Sequence, residues 1–172
     1  WIAEKFDKAR RLKKPTQLPS LYFCLLIYSF SEKNIEQFLA RLNISTKLSR
    51  AIRDTLRLKT RLPLLGKPSL KPSEIYYLLR EYEPVAIQAN AIASDEKEDT
   101  PSLIVHRYLQ LFLTKLRYVR TSLDGKELKR LGISAGPEMG QVLQVLHKAK
   151  LDGEVSTRAD EKKLALSLSL KL

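Results

Sequence analysis

Five prolines, Pro19, Pro72, Pro84, Pro101 and Pro137, each stand at the head of a segment whose apolar residues recur at helical spacing. In the first turn of a helix a proline costs nothing, because the N–H it lacks would have no partner there; inside a strand it removes a ladder bond. Placed this way, proline acts as punctuation between helices. With only 6 glycines in 172 residues, the chain is also short of the turn residues a many-stranded sheet requires. The expectation is an all-α fold, an irregular array of short helices around a buried central helix.

The periodicity places helices near Ile2–Lys13, Leu18–Phe30, Ile35–Leu42, Thr46–Thr60, Pro72–Tyr82, Pro84–Ser94, Ser102–Val119, Gly125–Leu131, Pro137–Leu151 and Arg158–Leu164. Thr100, before Pro101, is the expected N-cap of the Ser102 helix, its hydroxyl accepting an orphan N–H. In that helix Ile104, Tyr108, Leu109, Leu111, Phe112, Leu113 and Leu116 wrap too much of the circumference for a one-faced surface helix. It is therefore expected at the centre, with Arg107, Lys115 and Arg117 reaching out along its margin. The segment after Ser45 turns Leu48, Ile52, Leu56 and Leu58 inward and spreads Lys47, Arg50, Arg53, Arg57 and Arg61 over a basic outer surface.

Two breaks divide the array: Pro63-Leu64-Leu65-Gly66-Lys67-Pro68, and the acidic loop Asp95-Glu96-Lys97-Glu98-Asp99. They suggest a basic helical part over 1–66, a helical core part over 67–123 and a helix-turn-helix-like tail over 124–172. The stretch Leu164 to Leu172 alternates Leu with Ser and Lys, a pattern compatible with a strand or with a disordered end. The single Cys24 lies in the apolar run from Leu21 to Phe30, so neither a disulfide framework nor a cysteine zinc site is expected, and a reducing, cytoplasmic setting is. That run is roughly ten residues, half the ~20 needed to cross a bilayer, and no membrane partner is expected. Trp1 in place of an initiator Met, with no signal-peptide pattern, suggests a piece of a longer protein.

Lys and Arg number 31 against 19 Asp and Glu, a net charge of +12, which makes nucleic acid a natural partner to consider. Residues 1–61 hold fourteen bases and five acids, 62–123 eight and seven, and 124–172 nine and seven, so most of the excess lies early in the chain.

Catalytic patterns are missing. His106 precedes Arg107 and His147 precedes Lys148, with no HExxH and no third ligand at metal spacing, so both are expected to be ordinary helix residues. No GxxxxGK[ST] or GxGxxG cradle occurs, and an acidic run in a loop is a poor seat for Mg²⁺. What does carry chemistry is Leu131-Gly132-Ile133-Ser134-Ala135-Gly136-Pro137. Gly132 can end one helix in the left-handed conformation, and Gly136 before Pro137 opens the next without a capping side chain. Free N–H groups at such a start can hold a phosphate, and Lys126, Lys129 and Arg130 lie just before it. The plainer alternative is a tight turn between helices in which the glycines serve only close packing.

At these residues the chain resembles a known family. Asp124-Gly125-Lys126-Glu127-Leu128, Leu131-Gly132-Ile133, Gly136-Pro137, Gly140 and Leu151-Asp152-Gly153-Glu154-Val155 are similar, in type and spacing, to the C-terminal tail of the bacterial class II tRNA nucleotidyltransferase (CCA-adding enzyme) and poly(A) polymerase family. Upstream, Lys71-Pro72-Ser73-Glu74-Ile75-Tyr76, Tyr108-Leu109 and Leu116-Arg117-Tyr118-Val119 resemble the body of that family, and the likeness covers roughly residues 15 to 163. It implies an all-helical arm that grips tRNA. The family's α/β catalytic head, with its Asp-x-Asp and glycine-rich motifs, and its nucleotide-selecting neck have no counterpart here. No cofactor is therefore expected on this chain, since Mg²⁺ and nucleotide would belong to the head.

The expected function is that of a tRNA-binding arm without catalysis of its own, with Lys126, Lys129, Arg130, Gly136, Arg117, Arg50, Arg53, Arg57 and Arg61 as the RNA-binding candidates. Its partners would be tRNA or another structured RNA, read by shape and phosphate, and the N-terminal catalytic domain. The alternative is a structural or protein-interaction module that does not bind RNA.

Overall fold

The computed structural model describes residues 1–11, 18–30, 32–94 and 100–169, and among them there are helices, turns and loops but no strand. The α-helices are α1 (Ile2–Arg10), α2 (Leu18–Leu26), α3 (Glu32–Leu42), α4 (Thr46–Leu65), α5 (Pro72–Leu79), α6 (Pro84–Ala93), α7 (Thr100–Thr114), α8 (Gly125–Arg130), α9 (Pro137–Leu151) and α10 (Arg158–Ser169). Short 3₁₀ turns at Ile27–Ser29 and Leu116–Tyr118 follow α2 and α7. The fold is all-α. The acidic loop at 95–99 and the capping hydroxyl proposed for Thr100 lie outside the described residues.

The chain divides into two compact units, one of Trp1–Leu70 with Ile75–Thr114 and one of Lys71–Glu74 with Lys115–Leu172. In the first unit the centre belongs to α6, which packs against α1, α2, α4 and α7. Periodicity points to the Ser102–Val119 segment for that role, and the structure corrects it. Ala86, Ile87, Ala89, Asn90, Ala91, Ile92 and Ala93 of α6 are all buried, because a helix made largely of alanine lets neighbours close in from several sides. α7 buries Val105, Leu109 and Phe112 but leaves Leu103 exposed, and it gives way after Thr114 to the 3₁₀ turn. The buried Asn90 amide donates to the carbonyls of Thr55 (3.0 Å) and Ala86 (2.9 Å), tying α6 to α4. His106 Nδ1 lies 2.9 Å from the Ala91 carbonyl, so this ring is a structural link between α7 and α6. Cys24 is fully buried, and loss of hydration pushes its thiol up to about 11, which leaves it inert.

α4 also departs from the sequence reading. It runs through Pro63 to Leu65, with the Gly66 N–H returning to the Pro63 carbonyl at 3.1 Å, so the first break falls after the proline. Ile52, Leu56 and Leu58 are buried and Leu48 half-buried, as the periodicity implies.

The second unit closes on Leu123, Leu128, Ile133, Val142, Leu146 and Ala165. Gly132 ends α8 at φ +88°, where its own N–H reaches the Lys129 carbonyl and that of Ile133 reaches Leu128, both at 3.1 Å. α9 closes alike at Gly153, with φ +75°. These are Schellman ends, in which glycine takes the left-handed position without strain. The C-terminal stretch is neither strand nor disordered as far as Ser169, because α10 continues through it. Leucines at every second position also fall at i and i+4: Leu164 and Leu168 pack on the core beside buried Ala165, while Leu166 stays exposed.

Two clasps hold this unit. The Asp152 carboxylate accepts the Ser73 N–H (2.8 Å) and hydroxyl (2.7 Å), capping the first turn of α5 from a residue 79 positions away. The Glu161 carboxylate, fully buried, accepts the N–H groups of Ser122 (2.7 Å) and Leu123 (3.0 Å) and pairs with Lys150.

Candidate nucleic-acid interface

α8 starts from a capping box: Asp124 accepts the Glu127 N–H at 2.9 Å, and Glu127 accepts the Asp124 N–H at 3.3 Å. The pattern Asp-x-x-Glu is a capping signal that the sequence reading did not use. Glu127 also pairs with Arg158, so its charge is taken up by the fold. Leu128 points into the core, which turns Lys126, Lys129 and Arg130 to solvent, and none of the three has an ion-pair partner among the described residues. The Schellman turn at Gly132 then carries the chain to α9.

α9 begins at Gly136, with φ +153° and no side-chain cap. A Cβ placed at Gly136 would meet nothing within 4 Å, so the helix start stands open. Glu138 sits in the same first turn and is exposed; it suits the helix dipole and opposes an incoming anion.

The four arginines of α4 lie in the first unit and line a groove of about 860 Å³ with Glu36, Asp54, Tyr77, Glu81 and Tyr82. Three are engaged. Arg53 meets Glu36 through two bonds of 2.7 and 2.8 Å, which holds the Glu36 carboxyl below its ordinary range and lifts the guanidinium. Arg57 lies 3.2 Å from Asp54 and over the Tyr82 ring at 4.8 Å; Arg50 is 3.5 Å from Glu83 and 3.9 Å from Asp54. Arg61 is exposed, with no ion pair among the described residues. A phosphate reaching Arg53 must displace a bidentate carboxylate, whereas one reaching α8 displaces only water. Asp54, 5% exposed, is the organising acid of this groove, and its place inside a basic helix gave the sequence reading no reason to single it out.

Arg117 lies in the 3₁₀ turn of the second unit, its guanidinium 4.8 Å from the centre of the Tyr118 ring. His147 Nε2 is 3.3 Å from the Val119 carbonyl just beyond that turn. Among the described residues no group of three His, Cys, Asp or Glu is placed to hold a metal ion, and no helix is long and apolar enough to cross a membrane.

Short helices closed by glycine turns and carrying cations on their outer faces define a basic, all-helical domain. The chain belongs to the tRNA nucleotidyltransferase domain 2 family, whose sequence model matches residues 17–162. It is 30% identical over 156 residues to the A-adding tRNA nucleotidyltransferase of Geobacter sulfurreducens, an alignment that takes in 87% of this chain and 17% of that protein. The chain thus spans about a sixth of the length of the relative it matches. No solved structure matches it significantly.

Proposed function

We propose that this chain is the tRNA-binding arm of a tRNA-processing nucleotidyltransferase and that transfer chemistry belongs to a catalytic head elsewhere in the parent protein. The observation that carries this reading is the run of exposed Lys126, Lys129 and Arg130, without an ion pair among the described residues, leading into the open start of α9. Cations with no internal partner are available to phosphate at the cost of water alone, and each phosphate neutralised releases counterions. Arg117 of the same unit and Arg61 of the first are the next candidates. Arg50, Arg53 and Arg57 act mainly to shape their groove. In this reading Mg²⁺ and nucleotide fall to the head. A cytoplasmic setting is part of the proposal: the chain's single cysteine, Cys24, is buried and has no second cysteine in the chain to pair with.

Filter-binding titration with tRNA at two salt concentrations tests the reading. Affinity should fall steeply between them and be similar for different tRNAs. Salt-independent or absent binding would favour the alternative of a helical module that binds another protein. Incubation with tRNA, Mg²⁺ and labelled ATP or CTP should leave the RNA unextended; extension by clean protein would overturn the division of labour.

A further inference from the structure

Tyr118 is the most exposed large apolar side chain among the described residues, at 57%, and nothing in the second unit's core accounts for it. The 3₁₀ turn Leu116–Tyr118 turns Leu116 inward, 3% exposed, and in doing so projects Tyr118 outward. One side of the ring carries the Arg117 guanidinium at 4.8 Å, and the exposure leaves much of the remaining ring surface to solvent. Arg120 is clipped to the same turn, its Nη1 donating to the carbonyls of Arg117 (3.0 Å) and Val119 (2.8 Å). Neither arginine, nor the exposed Lys115, has an ion-pair partner among the described residues.

An exposed ring costs hydration, and Lys115, Arg117 and Arg120 crowd three like charges into one short stretch of chain, so the arrangement is poorly explained by the stability of this unit alone. Its chemistry fits a ligand with a flat π-face flanked by negative charges. We propose that Tyr118 is a stacking platform for one unpaired nucleobase of the bound RNA, with Arg117 backing the ring and Arg120 and Lys115 facing the adjoining phosphates. The proposal rests on the RNA-binding reading above and adds to it a contact that recognises a base rather than the backbone. Every base has a π-face, so such a platform tolerates sequence while requiring that the base be unpaired. A structured RNA offers such a base in a loop or at its single-stranded 3′ end.

The test uses the full chain with three probes: a short unstructured RNA, an abasic strand of equal length and charge, and tRNA with and without its 3′ single-stranded end. Removing a stacked aromatic typically weakens binding by about fivefold to a hundredfold per base. Tyr118→Ala should therefore weaken the base-bearing RNA by that factor and leave its salt slope and the abasic strand's affinity unchanged, while Tyr118→Phe binds like the parent. A loss on tRNA that vanishes when the 3′ end is trimmed supports the platform and puts the base there; an equal loss on both tRNAs supports it and puts the base in a loop. Equal losses on base-bearing and abasic strands would show a structural role and overturn the proposal, as would unchanged affinity for every probe. If the unaltered protein binds no RNA at all, the broader reading fails and this one with it; if it binds and only the Tyr118 variants are silent, the platform alone fails.

Discussion

At the scale of single residues, the fold stakes most on carboxylates that accept backbone N–H groups. Burial alone would push the Glu161 carboxyl upward, but bonds from Lys150, Leu123 and Ser122 together outweigh that and hold it below the ordinary range. A depressed folded value means the contribution is present above the unfolded value, about 4.3, and is lost as pH falls through the folded one. Glu161→Ala leaves two inward N–H groups without an acceptor and should cost about 2–3 kcal/mol in denaturant unfolding at neutral pH. Asp160 behaves similarly at the surface. The Thr157 N–H, then its hydroxyl, then the Ser156 N–H draw its carboxyl down to about 2. Its share of stability is therefore intact above about pH 4 and drains away as the pH approaches 2. Across that window the melting temperature of Asp160→Asn should fall less than that of the parent; parallel curves would contradict the assignment.

At the scale of elements, helix ends decide the geometry. α8 and α9 both stop at glycines with positive φ, Gly132 at +88° and Gly153 at +75°. A Cβ at Gly132 would touch nothing within 4 Å, so the penalty of Gly132→Ala is conformational and should be about 1–2 kcal/mol, read from thermal or denaturant melts. The start of α5 is a different case, since its cap comes from Asp152 at the far end of α9. Asp152→Ala should cost about 1 kcal/mol, as loss of an N-cap does, with Asp152→Asn recovering most of it because the amide oxygen still accepts. The Ser73 and Asp152 positions both lie in motifs that carry the family resemblance, and their contact gives those motifs a structural reason.

At the scale of the whole molecule, binding should be a sum of phosphate contacts. Replacing Lys126, Lys129 and Arg130 together by Ala should weaken different tRNAs alike and flatten the salt slope by up to about one unit per lost contact. A folded triple variant with unchanged slope would move the RNA face to other cations, Arg61 first. The sequence by itself determined the all-α class, the helix starts at Pro72, Pro84 and Pro137, the glycine ends of α8 and the adjacency of Lys126, Lys129, Arg130 and Gly136. It also carried the family. All of these depend on bonds spanning a few residues or on short motifs, and neighbours in the chain remain neighbours in the fold. Only the tertiary structure decided that alanine-rich α6, and not α7, sits at the centre, and that Arg53 belongs to Glu36, 17 residues away, and Arg50 to Glu83. It also decided that Tyr118 stands in solvent with the Arg117 guanidinium over its ring. Burial and charge pairing are settled by which distant residues arrive at a side chain, and a periodic pattern records only which way that side chain faces.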